Sequence, residues 1–268
     1  MEPRLNEIID FLEDIAPLRF QEDYDNAGLI LGTGNTPITG AIISLDCTED
    51  VVEEAISNNC NLIISHHPII FRGLKKFQFS RYVDRTIIKA IKNDISIYAI
   101  HTNLDNVLVN GVNEKIASKL QLNELSLLSP KVNNDLETNF TIGSGVIGLL
   151  RNPMTCEEFL LHVKDQMSCP VIRHTKVIDR KIQRVAVCGG AGSFLLNECL
   201  HQNVDAFVSS DFKYHEFFDA NGELMILDIG HYESEFYTIE LLFELLTKKF
   251  PKFAAHCTKV TTNPVNYF

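Results

Sequence analysis

Two adjacent histidines, His66 and His67, stand at the exit of the apolar run Asn61-Leu-Ile-Ile-Ser65. Two further short apolar runs end in similar chemistry. One leads into His101 and Asp105, the other into His231 and Glu235. Open α/β sheets bind their ligands beyond the carboxyl ends of the strands, so three such exits carrying imidazole and carboxylate point to a metal site. Five donors are more than one ion needs, and the expected occupancy is two divalent cations. Neighbouring side chains of an extended strand point to opposite faces, so His66 and His67 would more readily serve two ions than one. Pro68 favours an extended conformation at His67. His231 and Glu235 are four residues apart, which puts them on one helical face. Asp105 and Glu235 supply negative charge, and either could bridge the ions. Water on such a centre is acidified and becomes a nucleophile near neutral pH. A nitrogen and oxygen donor set without cysteine suits Zn, Fe, Mn, Co or Ni and does not choose among them.

Each residue alone has an ordinary reading as a core hydrogen-bonding group, a cap or a helix pair; the joint occurrence argues for a site. His101 and His215 are the candidates for acid–base work, since imidazole titrates near neutrality; a structural role at a helix start is the ordinary reading of His215. Asp25 and Asn26, in Tyr24-Asp-Asn-Ala-Gly28, could orient ligand histidines or simply form a turn. Gly189-Gly-Ala-Gly-Ser193 could cradle the phosphate of a phosphorylated or nucleotide small molecule at a helix N-terminus, or form a tight turn with Ser193 as the cap.

The elements that must position these groups alternate. Apolar spacing predicts a helix over 5–15, a strand over 38–45, a helix capped by Thr48, and a strand at 62–64. A helix over 82–93, a strand over 95–100 and a helix over 111–120 follow. Residues 129–139 are polar and turn-rich and read as a linker. Beyond them come a strand near 140–150, a helix over 155–167, strands over 171–176 and 183–188, a helix over 194–202 and a strand over 206–210. A long closing helix is expected over 233–250 and a last strand over 253–260. The expected fold is α/β, with two α/β lobes, mixed but largely parallel sheets, and the metal site at strand C-terminal ends between the lobes. The first lobe would be 1–128, completed by 231–268; the second would be 129–230.

The chain has 268 residues and a formal net charge of −11. That balance argues against broad nucleic-acid binding, which requires a basic stripe. The seven cysteines include no C-x-x-C pair and read as reduced, buried thiols. The N-terminus lacks a signal-peptide pattern, and no stretch approaches the roughly 20 apolar residues of a membrane helix. A cytoplasmic protein is expected, with no membrane partner.

Several segments also carry a family resemblance: Tyr24-Asp-Asn-Ala-Gly-Leu29, Ser65-His-His-Pro68, His101-Thr-Asn-Leu-Asp105, Gly189-Gly-Ala-Gly-Ser193, Asp211-Phe-Lys-Tyr-His215 and Gly230-His-Tyr-Glu-Ser-Glu235. Together they resemble the NIF three-like (Ngg-one-interacting-factor-three-like) dinuclear metal proteins, often called GTP cyclohydrolase I type 2. The resemblance spans nearly the whole chain and matches the compact form without an inserted domain. It implies two metals held by His66, His67, Asp105, His231 and Glu235, the last shared. It also implies a self-assembled, ring-shaped homohexamer and hydrolytic opening of the guanine ring of GTP with release of formate. Tyr24 stands where the family usually has Trp. The contrasting expectation is a metal-binding interaction or metal-handling protein without turnover.

Overall fold

The computed structural model describes residues 2–131 and 141–268. In chain order its elements are α1 (Leu5–Ile15), β1 (Gly28–Leu31), β2 (Ala41–Ser44), α2 (Glu49–Ser57), β3 (Leu62–Ser65), α3 (Tyr82–Lys92) and β4 (Ser96–Ala99). Then follow α4 (Thr102–Asp105), α5 (Val112–Lys119), β5 (Leu122–Pro130), β6 (Gly143–Met154), α6 (Cys156–Gln166), β7 (Arg173–His174) and β8 (Ile182–Ala191). The chain continues through α7 (Leu196–His201), β9 (Ala206–Ser210), β10 (Met225–Asp228), α8 (His231–Glu235), α9 (Thr238–Lys249) and β11 (Ala255–Cys257). It divides into two compact units, residues 1–104 with 238–264, and residues 105–237 with 265–268.

The first unit is built on a sheet of order β1-β4-β3-β2-β11. β4, β3, β2 and β11 run parallel, and β1 is antiparallel to β4. β2, β3 and β4 are buried throughout, which explains their unbroken Ile-rich runs: a parallel strand covered on both faces has no polar side to show. Ile42, Ile63 and Ile97 pack with Val51, Val52, Ala55 and Ile87 from α2 and α3. Thr48 caps α2 as the sequence indicates, its Oγ1 accepting from the Val51 amide.

The second unit has a sheet of order β5-β6-β8-β9-β10-β7. Here β8, β9 and β10 are parallel, while β5–β6, β6–β8 and β10–β7 pair antiparallel. Phe207 and Ile226 centre its core with Ala186, Leu196 and Cys199. Thr155 closes a capping box with Glu158 at the start of α6.

Three expectations are corrected. Of the stretch 129–139, Ser129 and Pro130 finish β5, Lys131 follows that strand, and 132–139 lie outside the described residues. β5 has no strict alternation because a bulge interrupts its pairing between Asn123 and Ser126. The closing helix expected over 233–250 is two helices, α8 and α9, separated at Phe236 and Tyr237. The segments 171–176 and 253–260 contribute strands of 2 and 3 residues.

Candidate metal centre

Parallel neighbours end at the same sheet edge. In the first unit Ser65 at the end of β3 sits beside Ala99 at the end of β4 and Ser44 at the end of β2. His66 and His67 follow β3, His101 lies two residues past β4, and Asp46 lies two past β2. β1 runs the other way, with Gly28 opposite Ala99, so the residues just before β1, Asp25 among them, reach that same edge. The order of functional groups along the edge is thus the order of the strands.

The backbone turns directly after β3. The His66 amide donates to Ser44 O, the His67 amide to Leu45 O, and Ser65 Oγ donates to His67 O. The opposed-face rule for an extended strand therefore does not hold at this pair. Ring centroids of His66 and His67 are 5.1 Å apart, and those of His101 are 5.2 and 5.4 Å from them. One ring nitrogen from each of the three lies within 4.8 Å of the others. This histidine cluster could hold a metal ion. His101, read from the sequence as an acid–base group, is positioned as a further donor.

Each ring is oriented through Nδ1. That of His66 is 2.8 Å from Ile100 O; that of His67 is 2.8 Å from Asp46 Oδ1; that of His101 is 2.8 Å from Asp25 Oδ1. A carbonyl or carboxylate oxygen only accepts, so Nδ1 carries the proton and Nε2 of the neutral ring carries the lone pair. This is the arrangement by which proteins orient metal-bound imidazole. His66 is fully buried, and its Nε2 lies out of contact with solvent.

The anchors are themselves held. Asp25 accepts from the Thr102 amide and hydroxyl. Burial alone would raise its carboxyl, but hydrogen bonds and charge from His101, with those of Thr102 and the Asn26 amide, bring it down to about 2. Asp46 behaves likewise: burial raises it, and His67 and the Thr262 hydroxyl outweigh that and leave it below the usual range. Asp25 thus orients a histidine, as its sequence position suggests. Asn26 does not; its amide donates to Ile70 O. Asp46 was missed by sequence reasoning, and an acid shortly after a buried strand is the signal that could have found it.

The second unit assembles the remaining donors by the same logic. β8, β9 and β10 are parallel, and Gly189–Gly190, Ser209–Ser210 and His231 all lie at or just past their carboxyl ends. His231 Nδ1 is 2.7 Å from Asp211 Oδ2, and its Nε2 is 3.0 Å from Glu235 Oε2. Asp211, one residue past β9, plays the part that Asp25 and Asp46 play in the first unit. Glu235 is buried. Burial first, then the charges of Asp105 and Glu235, push the Cys188 thiol far up. Asp105 is fixed from behind, its carbonyl accepting from Asn113 Nδ2 at 3.0 Å.

Two amides of the glycine-rich turn are already committed within the unit. The Gly189 amide donates to Asn113 Oδ1 and the Gly190 amide to Ser234 Oγ, so neither is offered to an anion. Ser193 is not a cap either: Gly192 is the N-cap of the short 3₁₀ turn, and no side chain caps it. The glycines make room. Gly190 has φ +62°, and a Cβ there would lie 2.4 Å from Glu235 Oε1 and 3.3 Å from His231 Cε1. His215 is exposed on the 3₁₀ segment Tyr214–Ala220, its ring against Tyr214 and Phe218, and takes no part in the hydrogen bonds around His231.

The first unit offers three imidazole nitrogens and the second an imidazole with carboxylates, each histidine pinned at Nδ1. Such donors suit divalent cations of the first transition row. Among the described residues no helix is long and apolar enough to cross a membrane.

Comparison with known proteins gives a consistent picture. The family model Duf34/NIF3 (NGG1p interacting factor 3) matches residues 3–264. A Clostridium acetobutylicum protein named GTP cyclohydrolase 1 type 2 homolog is 34% identical over 247 residues, covering 92% of this chain and 90% of that one. A Campylobacter jejuni protein of the same name is 31% identical over 268 residues, covering 99% and 100%. Among solved structures, a Staphylococcus aureus hypothetical protein superposes with a TM-score of 0.92 at 30% identity, covering 100% of both chains. A Bacillus cereus protein related to NIF3 gives 0.89 at 27% identity, covering 100% and 99%.

Proposed function

The chain belongs to the Duf34/NIF3 family, and from that premise we propose that it is a dinuclear metal-dependent hydrolase. The observation that carries this reading is the uniform pinning of imidazoles: His66, His67, His101 and His231 each commit Nδ1 to an oxygen acceptor. The Nε2 atoms of His66, His67 and His101 are thereby prepared as donors, while that of His231 faces Glu235 Oε2 at 3.0 Å; ordering side chains in that way costs entropy that a merely exposed histidine would keep.

The proposed ligand set is His66, His67, Asp105, His231 and Glu235, with Glu235 shared. Two divalent cations bound there would lend Lewis acidity to water and to the substrate oxygen. The chain's own groups do the rest. Asp46, Asp25 and Asp211 hold the rings in register. Gly190 lets the Glu235 carboxylate approach. Cys188 is buried, and burial and the neighbouring carboxylates push its thiol far up. His101, held by Asp25, is assigned to proton transfer.

The name carried by the relatives directs the substrate search to GTP, with ring opening and formate release as the reaction. Six buried free thiols fit a reducing, cytoplasmic setting, and assembly into a homohexamer is carried over from the family resemblance.

The test is a paired measurement on purified protein. Metal content by elemental analysis should approach two ions per chain and fall sharply in His67→Ala and Glu235→Ala. Loaded protein should release formate from GTP, or hydrolyse a phosphoester or cyclic amide, faster than either variant. Bound metal without any turnover above the variants would replace the hydrolase with a metal-handling protein.

A further inference from the structure

Residues 258–268 form neither helix nor strand, yet the stretch is tied down. The Thr258 amide donates to Ile43 O at 2.9 Å, the Thr258 hydroxyl to Glu54 Oε2, and the Lys259 amide to Glu54 Oε1 at 2.8 Å. Those bonds fix it to β2 and α2. Two further contacts fall on groups that position the candidate metal donors.

One is in the first unit. The Thr262 hydroxyl donates to Asp46 Oδ2 at 2.7 Å, while Asp46 Oδ1 lies 2.8 Å from Nδ1 of His67. A carboxylate held at both oxygens is fixed in rotation, and so is the imidazole that it orients.

The other is in the second unit, to which residues 265–268 belong. The Tyr267 hydroxyl donates to the carboxylate of Glu233. The two groups meet over Gly230, the N-cap of α8: a Cβ there would lie 2.3 Å from Glu233 Oε2 and 2.9 Å from Tyr267 Oη. Glu233 is buried and stands between His231 and Glu235 in sequence. A carboxylate in that setting must be met by donors. α8 has 5 residues, too few to stay helical by itself, so the direction of its side chains depends on tertiary ties. The Ser234 hydroxyl, bonded to His231 O and the Gly190 amide, is one such tie, and Tyr267 supplies another. Tyr267 is 43% exposed and Val265 55%. Little apolar surface leaves water there, which makes the hydroxyl the specific contact.

We propose that the stretch after β11 is a positioning element for the metal donors of each unit. Thr262 fixes the Asp46 anchor of His67, and Tyr267 fixes α8, which carries His231 and Glu235. Neither residue is assigned a contact with an ion or a substrate. The proposal rests on the ligand set given above and adds to it the residues that hold that set in place.

The experiment uses full-length protein stripped with a chelator and reloaded with Zn²⁺ in competition with a chromogenic chelator. Tyr267→Phe and Thr262→Val should each weaken Zn²⁺ by up to about tenfold, the low end of the range for a lost orienting partner, with an unchanged denaturant midpoint. Thr262→Ser keeps the hydroxyl and Glu233→Gln keeps an acceptor, so both should retain the affinity. Tyr267→Phe should add nothing in a Glu233→Ala background, as expected of partners in one contact. In Zn²⁺-free protein, amides 231–235 should exchange faster in Tyr267→Phe and at the wild-type rate in Thr262→Val. Wild-type affinity in Tyr267→Phe and Thr262→Val overturns the positioning role and leaves the hydrolase reading standing. Losses of affinity matched by losses of global stability overturn it too, since the two residues would then be ordinary props of the fold. Wild-type protein that takes up no ion overturns the metal reading itself, and the positioning role with it.

Discussion

His67 Nδ1 lies 2.8 Å from Asp46 Oδ1, and the other oxygen of Asp46 receives the Thr262 hydroxyl at 2.7 Å. The histidine is thus positioned by a carboxylate 21 residues away, which is steadied in turn by a residue near the end of the chain. Removing such an orienting partner typically costs ten- to a hundredfold in metal affinity. Asp46→Asn should therefore weaken cation binding by about that range with little change in unfolding free energy. Competition against a chromogenic chelator measures the first quantity and denaturant titration the second. An unchanged affinity would show that His67 is not a ligand or does not need the anchor.

Gly190 is expected to be among the least tolerant positions. Its φ of +62° disfavours any side chain, and an added Cβ would sit 2.4 Å from Glu235 Oε1. Gly190→Ala should cost about 1–3 kcal/mol from backbone strain and also displace the Glu235 carboxylate. Denaturant melts report the stability, and metal stoichiometry reports the carboxylate. A stable variant with full metal content would refute the close packing.

Acid should loosen the segment before α3. Burial would raise the Asp84 carboxyl, but the Gln78 amide and the charge and hydrogen bonds of Arg81 outweigh it and hold the group below its ordinary value. A depressed folded pKa contributes stability above the unfolded value of about 4, and that contribution is lost as pH falls through the folded value. The protection of the Gln78 amide, its exchange rate relative to that of an unstructured peptide at the same pH, should fall below about pH 4, and Asp84→Asn should show that lower protection already at neutral pH. Protection that is independent of pH and equal in both proteins would count against the tie.

Thiol chemistry offers a simple check on burial. Cys257 is exposed, while Cys47, Cys60, Cys156, Cys169, Cys188 and Cys199 are buried. Burial pushes the Cys47 thiol up to about 12 and that of Cys169 to about 11, so few thiolates form there at neutral pH. Native protein should react with a disulfide reagent at about one thiol per chain, and the rest should appear on denaturation. Rapid titration of several thiols in native protein would contradict the packing.

What can be read locally was readable in advance. The Ile-rich runs before His66 and His101 mark buried strands, Thr48 marks a helix start, and four-residue spacing puts His231 and Glu235 on one face of a turn of helix. Such features depend on residues within a few positions of one another. The strand β5 escaped because its bulge breaks the alternation that would betray it, and the break between α8 and α9 escaped because Phe236 and Tyr237 continue a helical composition.

Tertiary structure alone decided which oxygen orients which imidazole. His101 is 76 residues from Asp25 and His231 is 20 from Asp211. Strand order brings the members of each pair to the carboxyl edge of their own sheet, and strand order is a property of the folded sheet. The same holds for Gly189 and Gly190, whose missing side chains give the Glu235 carboxylate its clearance, a contact 45 residues away in sequence that no local pattern announces. A side chain's type is written in its codon, but its direction depends on neighbours that only the packed chain supplies.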